Sequence, residues 1–182
     1  YFDKVRFDEL AENLLADYRI NGRSVKDVQK RLNHLNPKFS GMRVVDITTP
    51  RIQSYIEDRI EQAAAKATIN RELAALKRMF NLGARQTPPK VDRVPYIPML
   101  KENNVRKGFF EHEDFLALRT ALPSYLKGFV TFAYIIGWRF SEIQGLAWSQ
   151  VDLNKGIVRL EVGETKNTEG RTIYLDEELK LV

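Results

Sequence analysis

Between Phe7 and Phe80 of this 182-residue chain, apolar side chains recur at helical spacing in four separate runs. Each run can bury only one stripe, so four such runs with brief connections predict a small helical bundle. Phe7, Leu10, Leu14, Leu15 and Tyr18 mark the first stripe, and Asn21-Gly22 punctuates it. Ser24 is placed to cap a second helix, with Asp27 three residues on and Val25, Val28, Leu32 and Leu35 as its apolar face. Asn36-Pro37 is expected to end that helix. Past Gly41, Thr49-Pro50 reads as an N-cap with proline at the first helical position, followed by a stripe of Ile52, Tyr55, Ile56 and Ile60. The fourth helix runs from about Thr68 through Ile69, Leu73, Leu76, Met79 and Phe80 and stops near Gly83.

Residues 87–108 break this pattern. Thr87-Pro88-Pro89, Pro95 and Pro98 interrupt helix, and Lys101 to Lys107 is polar and charged, which reads as a linker. Beyond it, Glu113–Ala121 suits a short helix. Pro123-Ser124 opens another that carries Leu126, Phe129, Val130, Ala133, Tyr134, Ile135 and Ile136 up to Gly137. That helix is apolar on most faces and is expected to be central and buried. Ser141–Trp148 suggests a third. The period then changes to alternation across Ile157–Val162 and Thr172–Leu175, which predicts two strands joined by a polar turn at Glu164–Gly170.

Charge divides the chain. Residues 1–87 hold 16 Lys/Arg against 11 Asp/Glu, and residues 88–182 hold 13 of each, so the first part carries the whole excess of the +5 net charge. A basic module joined to a neutral one suits a polyanion, although scattered lysines on an ordinary surface give the same count. Cysteine is absent and the two histidines, His34 and His112, lie far apart in sequence, which excludes disulfides and argues against a zinc site. No apolar run approaches the ~20 residues of a membrane span. The chain begins at Tyr1, without a Met or a signal-peptide pattern, so a missing N-terminal portion is expected.

Three places can carry chemistry. Arg139 follows the most apolar helix, with Glu142 at i+3. A planar, permanently charged guanidinium there fits a phosphate, with the carboxylate orienting it; a purely internal ion pair fits the same spacing. Lys166 lies in the predicted hairpin turn, where it is either solvated or able to donate a proton to a leaving oxygen. Lys66, Arg71, Lys77 and Arg78, with Thr68 and Asn70 near the start of the same helix, form either a DNA-groove face or an ordinary solvated one.

The run Gly137-Trp138-Arg139-Phe140-Ser141-Glu142-Ile143-Gln144-Gly145-Leu146-Ala147-Trp148, followed by Val151-Asp152-Leu153, resembles the first catalytic-arginine motif of the tyrosine recombinases, the phage integrase family. Thr165-Lys166-Asn167 and Arg171-Thr172-Ile173-Tyr174-Leu175 resemble that family's catalytic-lysine hairpin, in the right order and at a fitting distance. Ala67–Leu73 and Leu76–Phe80 look like the last helix of its core-binding domain, and Asn104–Phe110 like the entry to its catalytic domain. The resemblance covers nearly the whole chain. The arginine motif is fairly specific, and the lysine hairpin gains its weight from following it.

The resemblance implies a mainly α fold: a four-helix SAM-like core-binding bundle over 1–87, a linker over 88–108, and over 109–182 the N-terminal part of an α+β catalytic domain with a small β-hairpin. Arg139 would clamp the scissile phosphate, Glu142 would support it, and Lys166 would protonate the departing 5′ oxygen. Lys66, Thr68, Asn70, Arg71, Lys77, Arg78, Arg106, Lys107 and Arg171 would meet DNA. No metal or nucleotide cofactor is implied, since such enzymes keep the bond energy in a protein–DNA phosphodiester. The partner would be duplex DNA, with a tetramer on paired sites in the full-length parent, no membrane, and a cytoplasmic setting in a bacterial or phage-infected cell. The family also uses a His-x-x-Arg motif, a further His or Trp and a tyrosine nucleophile, all after the lysine hairpin. The sequence stops at Val182 before any of them, and none of its tyrosines, Tyr1, Tyr18, Tyr55, Tyr96, Tyr125, Tyr134 and Tyr174, falls where the nucleophile belongs. The expectation is a fragment that binds DNA and does not cleave it, from an enzyme that integrates or excises a mobile element. The alternatives are a non-catalytic DNA-binding regulator derived from an integrase and a helical interaction protein.

Overall fold

The structure is a computed structural model and describes residues 4–103, 108, 110–161 and 170–181. It divides into two compact units, Tyr1–Arg106 and Lys107–Val182.

The first unit is the bundle that the four stripes require: α1 (Phe7–Ile20), α2 (Val25–Phe39), α3 (Thr49–Glu61) and α4 (Lys66–Ala84). Ser24 caps α2 by accepting the Asp27 N–H at 3.3 Å. Phe7, Leu10, Leu14, Val28, Leu32, Leu35, Ile52, Ile69, Leu73, Leu76 and Met79 are fully buried together. Three expectations change. Helix α2 does not stop at Asn36-Pro37 but carries Pro37 in its last turn and ends at Phe39. Burying the Phe39 ring, 5.8 Å from Phe7 and 5.4 Å from Tyr55, outweighs the one backbone hydrogen bond that the proline removes. The N-cap of α3 is Thr48, one residue earlier than the sequence suggests. The Thr49 hydroxyl instead donates to the Tyr96 carbonyl at 2.9 Å. Within α3, Ile60 is exposed, and Arg59 takes its place on the buried face.

The stretch read as a linker is, for its first part, a strap laid on the bundle. Val91 and Ile97 are buried with the bundle core. Asn70 on α4 fixes the far end: its amide donates to the Leu100 carbonyl at 2.9 Å and its oxygen accepts the Leu100 N–H at 2.8 Å. The strap crosses α4 where that helix has a glycine. A Cβ on Gly83 would lie 2.7 Å from Val91 Cγ2 and 2.8 Å from Leu10 Cδ2. Alanine usually gains up to about 1 kcal/mol over glycine inside a helix, whereas overpacking a core costs about 1–3 kcal/mol. Gly83→Ala is therefore expected to destabilise the unit by about 1 kcal/mol, and a urea midpoint at or above wild type would show that the strap gives way freely.

The second unit holds α5 (His112–Ala121), α6 (Ser124–Ile136), α7 (Phe140–Gln144), β1 (Val151–Asp152), β2 (Ile157–Leu160), β3 (Arg171–Tyr174) and a short α8 (Glu177–Lys180). The strands form one antiparallel sheet in the order β1-β2-β3, with Leu160 paired to Arg171 at one end and Ile157 to Tyr174 at the other. The sheet and α6–α8 enclose a core of Trp138, Ile143, Val158, Leu160, Leu175 and Leu179. The two predicted strands pair antiparallel as β2 and β3, residues 162–169 with most of the predicted turn lie outside the described residues, and β1 was not expected. Helix α6 is not the buried central helix that its composition suggests. Only Thr131 is fully buried in it, while Phe129, Phe132, Ala133, Ile135 and Ile136 pack on the core with one side still open. The helix predicted over Ser141–Trp148 stops at Gln144. Gln150 accepts the Ala147 N–H at 2.7 Å and draws the next residues into a 3-10 turn, Trp148–Gln150. The architecture is mainly helical with one small antiparallel sheet.

Candidate active site

Helix α6 ends at Gly137, whose φ of +67° is the left-handed conformation that glycine adopts without a Cβ penalty. Trp138 then anchors the chain, its ring meeting Phe132 edge-on at 5.7 Å. This reversal places Arg139 at the N-cap of α7, and Glu142 one turn into it. The Glu142 side chain is 3% exposed, and that of Arg139 is 44% exposed. Glu142 receives the Arg139 guanidinium at 2.7 Å on one oxygen and the Arg139 backbone N–H at 3.0 Å on the other. The carboxylate thus fixes both the side chain and the backbone of the same arginine. A second cation joins from β3: Arg171 Nη1 lies 3.7 Å from Glu142 Oε2.

The electrostatics follow from this geometry. The side-chain hydrogen bond of Arg139, then its backbone N–H, hold the Glu142 carboxyl below the usual carboxylate range; burial opposes them, and the charges of Arg139 and Arg171 add to them. Glu142 therefore stays ionised to lower pH than an ordinary carboxyl, and its hold on Arg139 is lost as pH falls through the lowered value. Two half-exposed guanidiniums on one buried carboxylate leave a surplus positive charge facing solvent. Such an arrangement can bind and orient an oxyanion, and a phosphodiester in particular.

The helix α4 face divides. Lys66, Arg71 and Lys77 are exposed on it, and Thr68 is half-buried. Arg78 is committed within the bundle: its Nε and Nη2 reach Asp17 Oδ2 at 2.9 and 2.6 Å, and its guanidinium lies 5.9 Å from the Tyr18 ring centroid. Asn70 is buried and spent on the strap, with its amide also 2.6 Å from Glu102 Oε1. Nothing in the spacing of α4 distinguishes these two from their exposed neighbours, because their partners lie 61 and 30 residues away. Lys166, Arg106 and Lys107 lie outside the described residues. Among the described residues, no group of three or more His, Asp or Glu is gathered as a metal site would require, and no helix is long and apolar enough to cross a membrane.

The bundle also contains a buried polar cluster that the sequence reading passed over. Glu72 on α4, 1% exposed, accepts the Tyr55 hydroxyl at 2.6 Å and the Arg59 guanidinium at 3.0 and 2.9 Å. Burial first, and then the hydrogen bond to Glu72, push the Tyr55 phenol far above its ordinary value, so it remains a neutral donor.

Comparison with known proteins agrees with this geometry. Residues 108–182 match the Phage integrase family. The chain is 27% identical over 167 residues to the tyrosine recombinase XerD of Shewanella oneidensis, covering 83% of the chain and 50% of that protein. It is 24% identical over 181 residues to the integrase of Salmonella phage P22, covering 85% of the chain and 46% of that protein. The chain thus spans about half the length of these curated relatives. In fold it is similar to a lambda integrase dimer bound to a COC′ core site, with a TM-score of 0.72 at 15% identity over 95% of this chain and 49% of that one. It is likewise similar to the Tn1549 transposon integrase in complex with a circular intermediate DNA, with a TM-score of 0.75 at 14% identity over 94% of this chain and 62% of that one. The arginine motif thus lies inside the residues that match the Phage integrase family, and the relatives named here are a tyrosine recombinase and an integrase.

Proposed function

We propose that these residues serve site-specific DNA recombination, the integration or excision of a mobile element, in which Arg139 holds the scissile phosphate. The observation that carries this reading is the Glu142 carboxylate, buried and bonded to both the guanidinium and the backbone of a half-exposed arginine. A guanidinium oriented before the substrate arrives stabilises charge that builds on the non-bridging oxygens without reorganising during the reaction.

In the proposed reaction a tyrosine hydroxyl of the whole protein attacks phosphorus. A 3′-phosphotyrosyl bond forms as the tyrosine hydroxyl releases its proton to solvent, the bond to the 5′ oxygen breaks, and Lys166 gives that oxygen a proton. Attack by the 5′ hydroxyl of another strand reverses the step and returns the tyrosine. Arg139 touches the reacting phosphate, and Glu142 acts through Arg139. The 182 residues contain no His-x-x-Arg motif, so by themselves they are proposed to bind duplex DNA without cleaving it. In the whole protein, residues 1–87 and 109–182 would act as a core-binding domain and as part of a catalytic domain around the 88–108 segment. Assembly on paired sites, as a tetramer in the cytoplasm of a bacterial or phage-infected cell, belongs to the same proposal.

Lys66, Arg71 and Lys77 are proposed as phosphate contacts on the bundle, with Thr68 beside them and Arg106 and Lys107 following in the sequence. Asn70 and Arg78 are better read as parts of the bundle, since their polar groups already have partners. Binding of the 182-residue chain to duplex DNA is expected to weaken steeply with salt. Lys77→Ala is expected to reduce the slope of log K against log [salt] by about 0.9, the value for one phosphate neutralised. An affinity indifferent to salt would remove the bundle from DNA and leave a helical interaction protein.

A further inference from the structure

We infer that Arg171 is a positioning residue for the arginine site, acting on Arg139 through Glu142 rather than by touching DNA. This rests on the reading of Arg139 as the phosphate clamp. Arg171 opens β3 and pairs with Leu160 of β2, so its backbone is fixed by the sheet. Its side chain is 35% exposed, and its Nη1 lies 3.7 Å from Glu142 Oε2, the oxygen that also accepts the Arg139 N–H at 3.0 Å. The other oxygen, Oε1, holds the Arg139 guanidinium.

The consequence is geometric. A carboxylate held only by its own helix turn can pivot about its terminal torsion, because that torsion has a broad minimum. Arg139 and Glu142 both belong to the α7 turn, so neither can fix the other against the rest of the unit. Arg171 comes from a different element and attracts the oxygen on the side away from the Arg139 guanidinium. That attraction sets the plane of the carboxylate, and the plane directs Arg139.

The test uses Arg171→Met, which keeps the apolar stem, and Arg171→Lys, which keeps the charge. In the whole protein, single-turnover cleavage at saturating DNA is expected to fall about 10- to 100-fold in Arg171→Met, with DNA affinity and its salt slope unchanged. Arg171→Lys is expected to recover most of the rate, which a packing role would not require. Combined with Glu142→Gln, Arg171→Met should add little further loss, because the carboxylate through which it acts is already neutral. In the 182-residue chain, Arg171→Met is expected to speed rotation of the Arg139 guanidinium in nitrogen NMR and to raise the Glu142 titration midpoint. Unchanged NMR signals, an additive double variant, or a loss confined to affinity and salt slope would each overturn the inference. Arg139→Ala in the same cleavage assay separates the two levels: if it still cleaves, the recombinase reading fails, and if it is inactive while Arg171→Met cleaves normally, only this inference fails.

Discussion

Arg139→Ala in the whole protein is expected to reduce single-turnover strand cleavage by about 10²–10³-fold or more while leaving DNA affinity nearly intact. The size of the effect follows from what the side chain does. Its guanidinium is half-exposed and is already oriented by a carboxylate that is itself 3% exposed. On the proposed reading, removing it deletes a preorganised donor at the place where negative charge would develop, and water cannot supply an equivalent fixed dipole. The fold should tolerate the change, because Arg139 is at the solvent side of the ion pair and α7 keeps its backbone hydrogen bonds, such as Ile143 N–H to Arg139 O at 3.1 Å. Glu142 keeps the residue-139 backbone N–H and Arg171 as partners, so the loss should appear mainly in the rate, with a smaller fall in the melting temperature. Arg139→Lys is expected to fall well short of wild type, since a point charge cannot grip Glu142 and a phosphate in the planar, forked manner of a guanidinium. Cleavage by Arg139→Ala at the wild-type rate would return Arg139 and Glu142 to a bracing ion pair.

The second large effect lies in the bundle. Glu72→Ala is expected to destabilise the first unit by about 3–5 kcal/mol in urea unfolding, as removal of one partner from a buried ion pair does. Glu72 is 1% exposed, and its loss strands both the Arg59 guanidinium and the Tyr55 hydroxyl in the interior. The stability does not reside in the ion pair as such. Replacing Tyr55, Arg59 and Glu72 together by apolar residues of similar size is expected to be near neutral, because no buried polar group is then left without a partner. Glu72 also joins α3 to α4, the helix that presents Lys66, Arg71 and Lys77. Its loss should thus weaken DNA binding in proportion to the fraction unfolded, and a variant that loses binding without losing stability would contradict this coupling.

The parts of this fold that were legible in the sequence are those fixed by neighbours within a few residues. The apolar stripes of α1–α4, the Ser24 cap and the strand alternation of β2 and β3 are local patterns. The Arg139–Glu142 pair was legible for the same reason, since i+3 spacing on one turn brings the two together. What spacing could not choose was between an ion pair alone and an ion pair that directs a free guanidinium; the difference in exposure of the two side chains supports the second.

The misreadings share one cause, which is tertiary contact. Asn70 and Arg78 look like members of a basic face until Leu100 and Asp17 arrive from distant segments to engage them. Ile60 reads as part of the α3 stripe until Glu72 draws Arg59 onto the buried face instead. Pro37 reads as a helix stop because the gain from packing Phe39 against Phe7 and Tyr55 cannot be seen one-dimensionally. The composition of α6 indicates that it seeks burial, but not how much of it these residues cover.

The most direct test of the central claim is single-turnover cleavage of a suicide duplex whose scissile phosphodiester carries a neutral methylphosphonate, compared with the ordinary linkage for wild type and Arg139→Ala. If Arg139 works by meeting the charge of the non-bridging oxygens, the deficit of about 10²–10³-fold or more on the phosphodiester should largely vanish on the neutral linkage, which has no such charge to offset. A deficit of equal size on both linkages would show that Arg139 supports the protein and not the phosphate, and would contradict the account.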